Sequence, residues 1–210
     1  MEKLLIIGAS GHGRVVGEIA SFSENWGEIV FADDNNASVE GYRTIGTTST
    51  LENYIEYYSH AFVAIGNNHI RRNFLEVLKR IGYKIPTLIH PRSIISRSAT
   101  LGPGTVVMAG AVINPGCTVG SGCIINTGCT IDHDCILEDG VHISPGAHLA
   151  GNVHVSDCAW VCVGANIINN KKIGVNSIIA AGSAVITDVP GNVLMAGIPA
   201  KLKSNFLKDI

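Results

Sequence analysis

The chain has 210 residues, of which 46% are hydrophobic, 15% charged and 6% aromatic, and 24 are glycine. This length suits one large or two small domains with a buried core, and the composition excludes a typical helical bundle and a disordered chain. A net charge of −2 without a run of basic residues argues against nucleic acid as a partner. No apolar run approaches the ~18 residues of a membrane span. The first apolar run is too short for a signal peptide, so we expect a cytoplasmic protein with reduced cysteines.

Residues 1–90 alternate between apolar strands and amphipathic helices, which predicts a small Rossmann-like α/β domain with a parallel sheet. The predicted strands cover residues 4–7, 28–32, 61–65 and 84–89, and helices follow the first and third of them.

Three polar loops follow the predicted strands of this domain. They contain Ser10, Gly11 and His12, then Asp33 and Asp34, and finally Gly66 and Asn67. Ligands of such sheets bind at the carboxyl ends of the strands, and the glycines let a phosphate approach N–H groups at a helix N-terminus. We therefore predict that these seven residues bind a nucleotide-linked ligand. The alternatives are a tight turn without a ligand and a dinucleotide site, for which the domain is short.

A six-residue repeat covers the middle of the chain. Sixteen positions six residues apart, from Ile95 to Val185, are all aliphatic, and the positions two residues earlier are small or β-branched except Lys171. This period fits neither a helix nor an ordinary strand. Short strands around a three-sided prism would use 18 residues a coil, giving roughly five coils and a height of about 24 Å. We predict a left-handed parallel β-helix over residues 91–189, against the usual crossover hand, and a C-terminal cap over residues 190–210.

The repeat predicts the positions of its small residues and of its outward-facing residues. Four cysteines spaced by six are predicted to pack inward rather than to bind metal, so no metal is expected. Seven glycines are predicted at corners with positive φ, namely Gly102, Gly104, Gly110, Gly116, Gly120, Gly122 and Gly128. Four outward apolar residues, Val106, Ile124, Ile136 and Val163, are predicted to need a covering surface.

His133 and Asp134 follow the inward Ile131 and are predicted on an outward turn. A histidine beside a carboxylate can act as a general base near neutral pH. The alternative is a polar corner residue, and the sequence leaves open whether the short Asp134 side chain reaches the imidazole.

Several motifs together resemble one family, the sialic-acid O-acetyltransferases and bacillosamine N-acetyltransferases. They are the segments 8–13, 33–34 and 64–68, the hexapeptides, and the closing segment 197–201. The resemblance implies acetyl-CoA as donor, a homotrimer, and active sites between adjacent β-helices. It is strongest to members that acetylate the 4-amino group of a nucleotide-linked sugar, with UDP the expected nucleotide.

The same resemblance assigns site residues. His133 and Asp134 match the family's histidine–acid pair, and Asn126 lines the acceptor site. His142 and Gly151 are expected to contact acetyl-CoA. Apart from the resemblance, the small residues Val163, Gly164, Ala181 and Gly182 would let the extended pantetheine chain approach the backbone, although such residues also suit coil corners. Lys201 pairs with a CoA phosphate or caps the last coil.

We expect direct transfer in a ternary complex without an acyl-enzyme, because the inward cysteines cannot act as nucleophiles; only Cys158 and Cys162 fall outside that phase. The competing functions are O-acetylation of sialic acid or a related hydroxyl, a β-helix binding protein without catalysis, and an NAD-dependent oxidoreductase.

Overall fold

In a computed structural model, the chain divides into two compact units, Met1–His90 and Pro91–Ile210. The structure describes residues 1–35 and 37–205, so residues 206–210 of the predicted cap lie outside the described residues. No helix in this described part is long and apolar enough to cross a membrane.

The first unit is a four-stranded parallel sheet in the order β3-β2-β1-β4, with a further short strand, β5. Its elements are β1 Glu2–Ile7, α1 Gly11–Ser21, β2 Trp26–Ala32, β3 Arg43–Gly46, a 3-10 helix Thr48–Asn53, β4 His60–Val63, α2 Asn68–Ile81 and β5 Leu88–Ile89. The apolar second half of β1, Leu4 to Ile7, is fully buried. Burial of this run places β1 at the centre of the sheet, as a strand covered on both faces requires.

The predicted strands of this unit were wrong in two places. β3 was missed because Arg43–Gly46 is a short, polar edge strand without an apolar run. The prediction of a strand over residues 84–89 was too long, since only Leu88–Ile89 is a strand and Lys84 makes a single bridge to His60. Pro86 has no N–H to donate to a ladder, which accounts for the interruption.

The second unit is a left-handed β-helix whose strands form three sheets, and each strand has two residues except the last two. Face 1 contains β6 Ile94–Ile95, β9 Val112–Ile113, β12 Thr130–Ile131, β15 His148–Leu149, β18 Asn166–Ile167 and β21 Ala184–Val185. Face 2 contains β7 Thr100–Leu101, β10 Thr118–Val119, β13 Ile136–Leu137, β16 His154–Val155 and β19 Lys172–Ile173. Face 3 contains β8 Val106–Val107, β11 Ile124–Ile125, β14 His142–Ile143, β17 Trp160–Val161, β20 Ile178–Ile179, β22 Val193–Ala196 and the antiparallel β23 Lys201–Asn205.

The pairing register sets the coil length. Thr118 pairs with Ile136 and Val119 with Leu137, so each residue lies beside the residue 18 positions later. The chain turns from face 1 to face 2 at the first corner, from face 2 to face 3 at the second, and from face 3 to face 1 at the third. Residues 132–135 and 150–153 therefore stack at the first corner, and residues 126–129, 144–147 and 162–165 stack at the third.

The aliphatic series and the small series both point into the prism, as predicted, and form one continuous core. The four cysteines of the repeat are buried. The thiols of Cys117 and Cys123 donate to the carbonyl oxygens of Asp132 and Glu138 at 3.0 and 3.1 Å. Burial raises the pKa of Cys129 to about 12. These thiols act as small packing groups.

The prediction of positive φ was wrong for two of the seven corner glycines. Gly102 and Gly120 do not have positive φ, unlike the other five corner glycines. Glycine is required at these two positions because the neighbouring backbone leaves no room for a side chain. A Cβ on Gly102 would lie 2.6 Å from the carbonyl carbon of Gly120 in the next coil. Val106 and Ile124 need no further cover, since each is 1% exposed, whereas Ile136 and Val163 are 46% and 55% exposed.

Two substitutions distinguish a glycine that is required for lack of room from a glycine that is required for its positive φ. In Gly120→Ala, the new Cβ would lie 2.8 Å from the Glu138 carbonyl carbon, and we expect a loss of about 1–3 kcal/mol in stability from overpacking. In Gly128→Asn, the position has φ +64 and no described atom within 4 Å of a Cβ, so we expect a loss below about 1 kcal/mol. Thermal unfolding at equal protein concentration measures both, and equal losses would contradict the explanation.

Candidate active site

Each of the three predicted loops contributes at least one residue to a pocket in the first unit. The pocket has a volume of about 290 Å³ and lies at the carboxyl ends of β1, β2 and β4. Ser10, Asp33, Asp34 and Gly66 contribute to its wall, whereas Gly11, His12 and Asn67 do not. The remaining wall is formed by Ile7, Gly8, Asn35, Thr48, Ala64, Ile65, Ile70 and Phe74.

The two carboxylates of this pocket hold its loops together. Asp33 accepts hydrogen bonds from the N–H groups of Ala9 at 2.8 Å and Asn35 at 2.9 Å. Burial opposes the ionisation of Asp33, but these backbone N–H groups outweigh it and lower its pKa. Asp34 accepts from both the N–H and the hydroxyl of Thr48 at 2.8 Å. Both side chains therefore shape the wall, a role that sequence reasoning missed.

The glycines of the first loop have different tasks. A Cβ on Gly13 would overlap the Gly8 carbonyl oxygen, so Gly13 permits close packing of α1 against β1. Gly11 begins α1 and is exposed, and the nearest described atom to a Cβ there is Arg14 Nη2 at 3.8 Å. The tight-turn explanation therefore fits Gly13, and space for a ligand is left at Gly11.

His12 is neutral in this structure. Its Nε2 is buried without a hydrogen-bond partner among the described residues. Burial, with a smaller contribution from the positive charge of Arg71, lowers its pKa to about 4. His12 is therefore uncharged near neutral pH, and it does not line the pocket.

Arg71 was missed by sequence reasoning because it occupies an ordinary position of an amphipathic helix. It is 1% exposed, and its guanidinium donates to the carbonyl oxygens of Ile65 and Gly66 at 3.0 Å. Asn67 caps α2 by accepting the N–H of Ile70 at 3.0 Å. Arg71 and Asn67 thus fix the loop that follows β4.

His133 and Asp134 lie at the first corner of the β-helix, where both side chains are exposed. Nδ1 of His133 lies 2.8 Å from Oδ2 of Asp134, so the short carboxylate does reach the imidazole. The hydrogen bond to Asp134 raises the pKa of His133. With Nδ1–H donating to the carboxylate, Nε2 is the nitrogen that can accept a proton.

Gly151 lies one coil after His133 and sets the place of its ring. A Cβ on Gly151 would lie 2.5 Å from Nε2 and 2.6 Å from Cε1 of His133. The imidazole therefore packs against the Gly151 backbone. The pairing of residues 18 positions apart produces this contact.

A second group of predicted residues lies on face 3 and at the third corner. Asn126 Nδ2 is 3.2 Å from His142 Nε2, and the His142 ring stacks on Trp160 with 5.7 Å between centroids and 5° between planes. The Trp160 indole donates to Ser144 Oγ at 2.8 Å. Sequence reasoning missed Trp160, although its position 18 residues after His142 was a usable signal.

The third corner also offers open space beside these side chains. Val163 is 55% exposed, and Val163 and Ala181 are one coil apart. Gly164 and Gly182 have φ near +65, and no described atom lies within 4 Å of a Cβ at either one. An extended chain could run along this corner close to the backbone.

The structure divides the predicted β-helix residues into two groups. His133, Asp134 and Gly151 lie at the first corner. Asn126, His142, Val163, Gly164, Ala181 and Gly182 lie on face 3 or at the third corner. The first corner is opposite face 3 in a three-sided prism, so one chain does not bring His133 and His142 together.

The remaining candidates have no catalytic geometry here. Cys158 is 5% exposed, and burial raises the pKa of Cys162 to about 11. Lys201 is exposed and pairs with Ala196 in the closing hairpin. Within residues 1–35 and 37–205, no group of three metal-ligating side chains is arranged to hold a metal ion.

Known families match both units of the chain. Residues 3–78 match the PglD N-terminal domain, and residues 98–133 match the bacterial transferase hexapeptide family. The acetyltransferase domain of PglB from Neisseria gonorrhoeae is 44% identical and covers 97% of this chain and 100% of that chain, with a TM-score of 0.93. Perosamine N-acetyltransferase from Caulobacter crescentus, solved as a mutant with CoA and GDP-perosamine, is 36% identical and covers 98% of each chain, with a TM-score of 0.94.

Curated relatives match over shorter stretches. UDP-N-acetylbacillosamine N-acetyltransferase from Bacillus subtilis is 39% identical over 109 residues, which is 50% of this chain and 50% of the relative. A putative acetyltransferase of Saccharomyces cerevisiae is 52% identical over 46 residues. The chain therefore spans half or less of the curated relatives it matches. The fold and these matches together define a hexapeptide acyltransferase with an α/β N-terminal domain. Within that class, the chain belongs to the family of acetyl-CoA-dependent sugar N-acetyltransferases that includes the bacillosamine enzymes.

Protonation of His12 should destabilise the first unit at low pH. Its folded pKa of about 4 lies below its ordinary value of 6.5, so the unfolded chain binds the proton more tightly. Stability is then fully present above pH 6.5 and falls as the pH drops towards 4, by about 3 kcal/mol at most. His12→Gln should flatten this dependence, and the exposed control His69→Gln should not. The measurement is denaturant unfolding at several pH values; equal slopes in all three proteins would contradict it.

Gly151→Ala should displace the His133 ring and lower kcat. Because small misplacements of reacting groups are costly, we expect a loss of at least ~10-fold in kcat with little change in stability. Asn169→Ala is the matched control, since it changes the same corner position one coil further from His133. Steady-state kinetics with acetyl-CoA measure both, and an unchanged kcat in Gly151→Ala would show that the glycine does not set the ring position.

Proposed function

We propose that this protein transfers the acetyl group of acetyl-CoA to the 4-amino group of a nucleotide-linked sugar. The observation that carries the proposal is the His133–Asp134 pair, with Nδ1 on the carboxylate and Nε2 left to accept a proton. Related structures support the ligands: one was solved with acetyl coenzyme A and one with CoA and GDP-perosamine. UDP is our proposed nucleotide, because the Bacillus subtilis relative is named for a UDP sugar, and GDP is the alternative to test.

In the proposed reaction, His133 is the general base. As the sugar nitrogen attacks the thioester carbonyl, its proton passes to Nε2 and a C–N bond forms. The tetrahedral intermediate then collapses, the C–S bond breaks, and the leaving thiolate takes the proton from the imidazolium. Asp134 stabilises that imidazolium through Nδ1–H. Direct transfer is favoured because burial raises the pKa of Cys162, the more accessible of the two cysteines outside the inward phase.

The division of the site residues supports a homotrimer with sites shared between copies. If β-helices pack side by side around a threefold axis, the first corner of one copy can face the third corner and face 3 of the next. His133 and Gly151 would come from one copy, and Asn126, His142 and the open edge at Val163 from its neighbour. Exposed apolar side chains at Ile136 and Val163 fit such a contact.

The first unit would bind the nucleotide of the acceptor. Its pocket combines the apolar Ile65, Ile70 and Phe74 with the polar Ser10 and Asp34, a mixture that suits a base and a sugar. Location in the cytoplasm is part of this proposal, and the free thiols of all six cysteines fit a reducing compartment.

Mass spectrometry of an acceptor panel tests the reaction. The panel contains UDP- and GDP-linked 4-amino sugars, their 4-hydroxy counterparts and sialic acid, each incubated with the protein and acetyl-CoA. We expect the mass gain of one acetyl group on an amino sugar only. A gain on sialic acid alone would establish O-acetylation instead, and no gain on any acceptor would contradict the proposed activity.

His133→Ala should lose at least ~10²-fold in kcat, because a general base contributes ~10²–10⁴-fold. KM should stay near normal, since the substituted group acts in the transition state. His148→Ala is the control, because His148 is also an outward histidine of the β-helix but lies on face 1. Full activity in His133→Ala would remove His133 from the role of base.

A further inference from the structure

A second carboxylate, Asp132, lies beside the proposed base. Oδ1 of Asp132 accepts the backbone N–H of His133 at 2.8 Å and the side-chain amide of Asn114 at 3.0 Å. Asn114 lies 18 residues earlier, in the preceding coil. Asp132 therefore ties the main chain of His133 to the neighbouring coil.

A charged residue at the corner position of Asp132 is unusual among the coils. The equivalent first-corner positions are occupied by Ser96, Asn114, Ala150, Ile168 and Ile186. Asp132 is thus the ionisable residue of this series, and it occurs in the coil that carries His133. A structural corner does not require a charge there, since the other coils form the same turn without one.

The charges around His133 come from its own turn. Asp134 lies on Nδ1, and Asp132 acts through space on the imidazole. The neighbouring coils present Pro115 and Gly151 at the equivalent position, and neither carries a charge. The backbone N–H of His133 and the Asn114 amide lower the pKa of Asp132, so it is ionised at neutral pH.

We propose that Asp132 is a positioning residue of the acetyl transfer, which fixes the His133 backbone and stabilises the imidazolium that forms on proton abstraction. This inference rests on the proposed role of His133 as base. Asp132 does not need to touch substrate: Oδ1 holds the turn, and the charge of the carboxylate acts on the ring. The result is an imidazole flanked by two carboxylates instead of one.

Asp132→Asn tests this role, because its amide oxygen can still accept the His133 N–H while the charge is lost. A nearby carboxylate favours the imidazolium, so its removal should lower the pKa of His133. The acidic limb of the profile of kcat/KM against pH should move to lower pH. The plateau kcat should fall about 3–10-fold because the base is weaker. KM should not change.

Two further variants separate charge from structure. Asn114→Ala removes a neutral partner of Asp132 and keeps the charge, so the pH limb should stay in place. Asp132→Ala should show the same pH shift as Asp132→Asn together with a loss of thermal stability. A merely structural role would give a stability loss in Asp132→Ala and no pH shift in Asp132→Asn.

NMR titration of the His133 ring in the free protein gives the same pKa without any turnover. A lower pKa in Asp132→Asn, with the fall in kcat, supports the proposal. An unchanged pKa overturns it, whatever the activity. If the wild-type protein acetylated no acceptor, the proposed function would fail, and the titration would still decide whether Asp132 acts on His133.

Discussion

The parallel pairing of each residue with the one 18 positions later is the constraint on which the catalytic half of the molecule depends. It holds the two-residue strands in three sheets and places like corners above one another. Because of this register, the His133 imidazole lies against Gly151 and the Asp132 carboxylate receives the Asn114 amide. A change of one residue in coil length would separate these pairs and turn the inward aliphatic residues to the surface.

The same register keeps the two halves of the proposed site apart within one chain. His133 follows face 1, and His142 lies on face 3, where it stacks on Trp160. A second copy is the simplest way to bring the base to the group that would bind the thioester, and the exposed Ile136 and Val163 provide apolar surface for that contact. Assembly and catalysis would then both follow from the register of the β-helix.

Much of this molecule could be predicted from its sequence, because a six-residue period repeated sixteen times leaves few other folds. His133 could be singled out because Ile131 fixes the inward phase. The edge strand Arg43–Gly46 could not be predicted, since it carries no apolar run. The structural roles of Asp33 and Arg71 could not be predicted either, because their hydrogen bonds to backbone groups depend on tertiary contacts between loops. Gly151 and Asp132 lie between these cases. Gly151 is one repeat coil from His133 and Asp132 is its neighbour in the sequence, but only the structure shows their contacts with His133.

In the proposed trimer, each active site uses His133 of one copy and His142 of the next. A mixture of His133→Ala and His142→Ala proteins, each inactive alone, tests it after joint unfolding and reassembly. If trimers assemble at random, about a quarter of the sites combine an intact His133 with an intact His142, so about a quarter of wild-type activity should return. No recovery from the reassembled mixture, with trimers shown to have exchanged subunits, would mean that both histidines must come from one chain and would contradict the account.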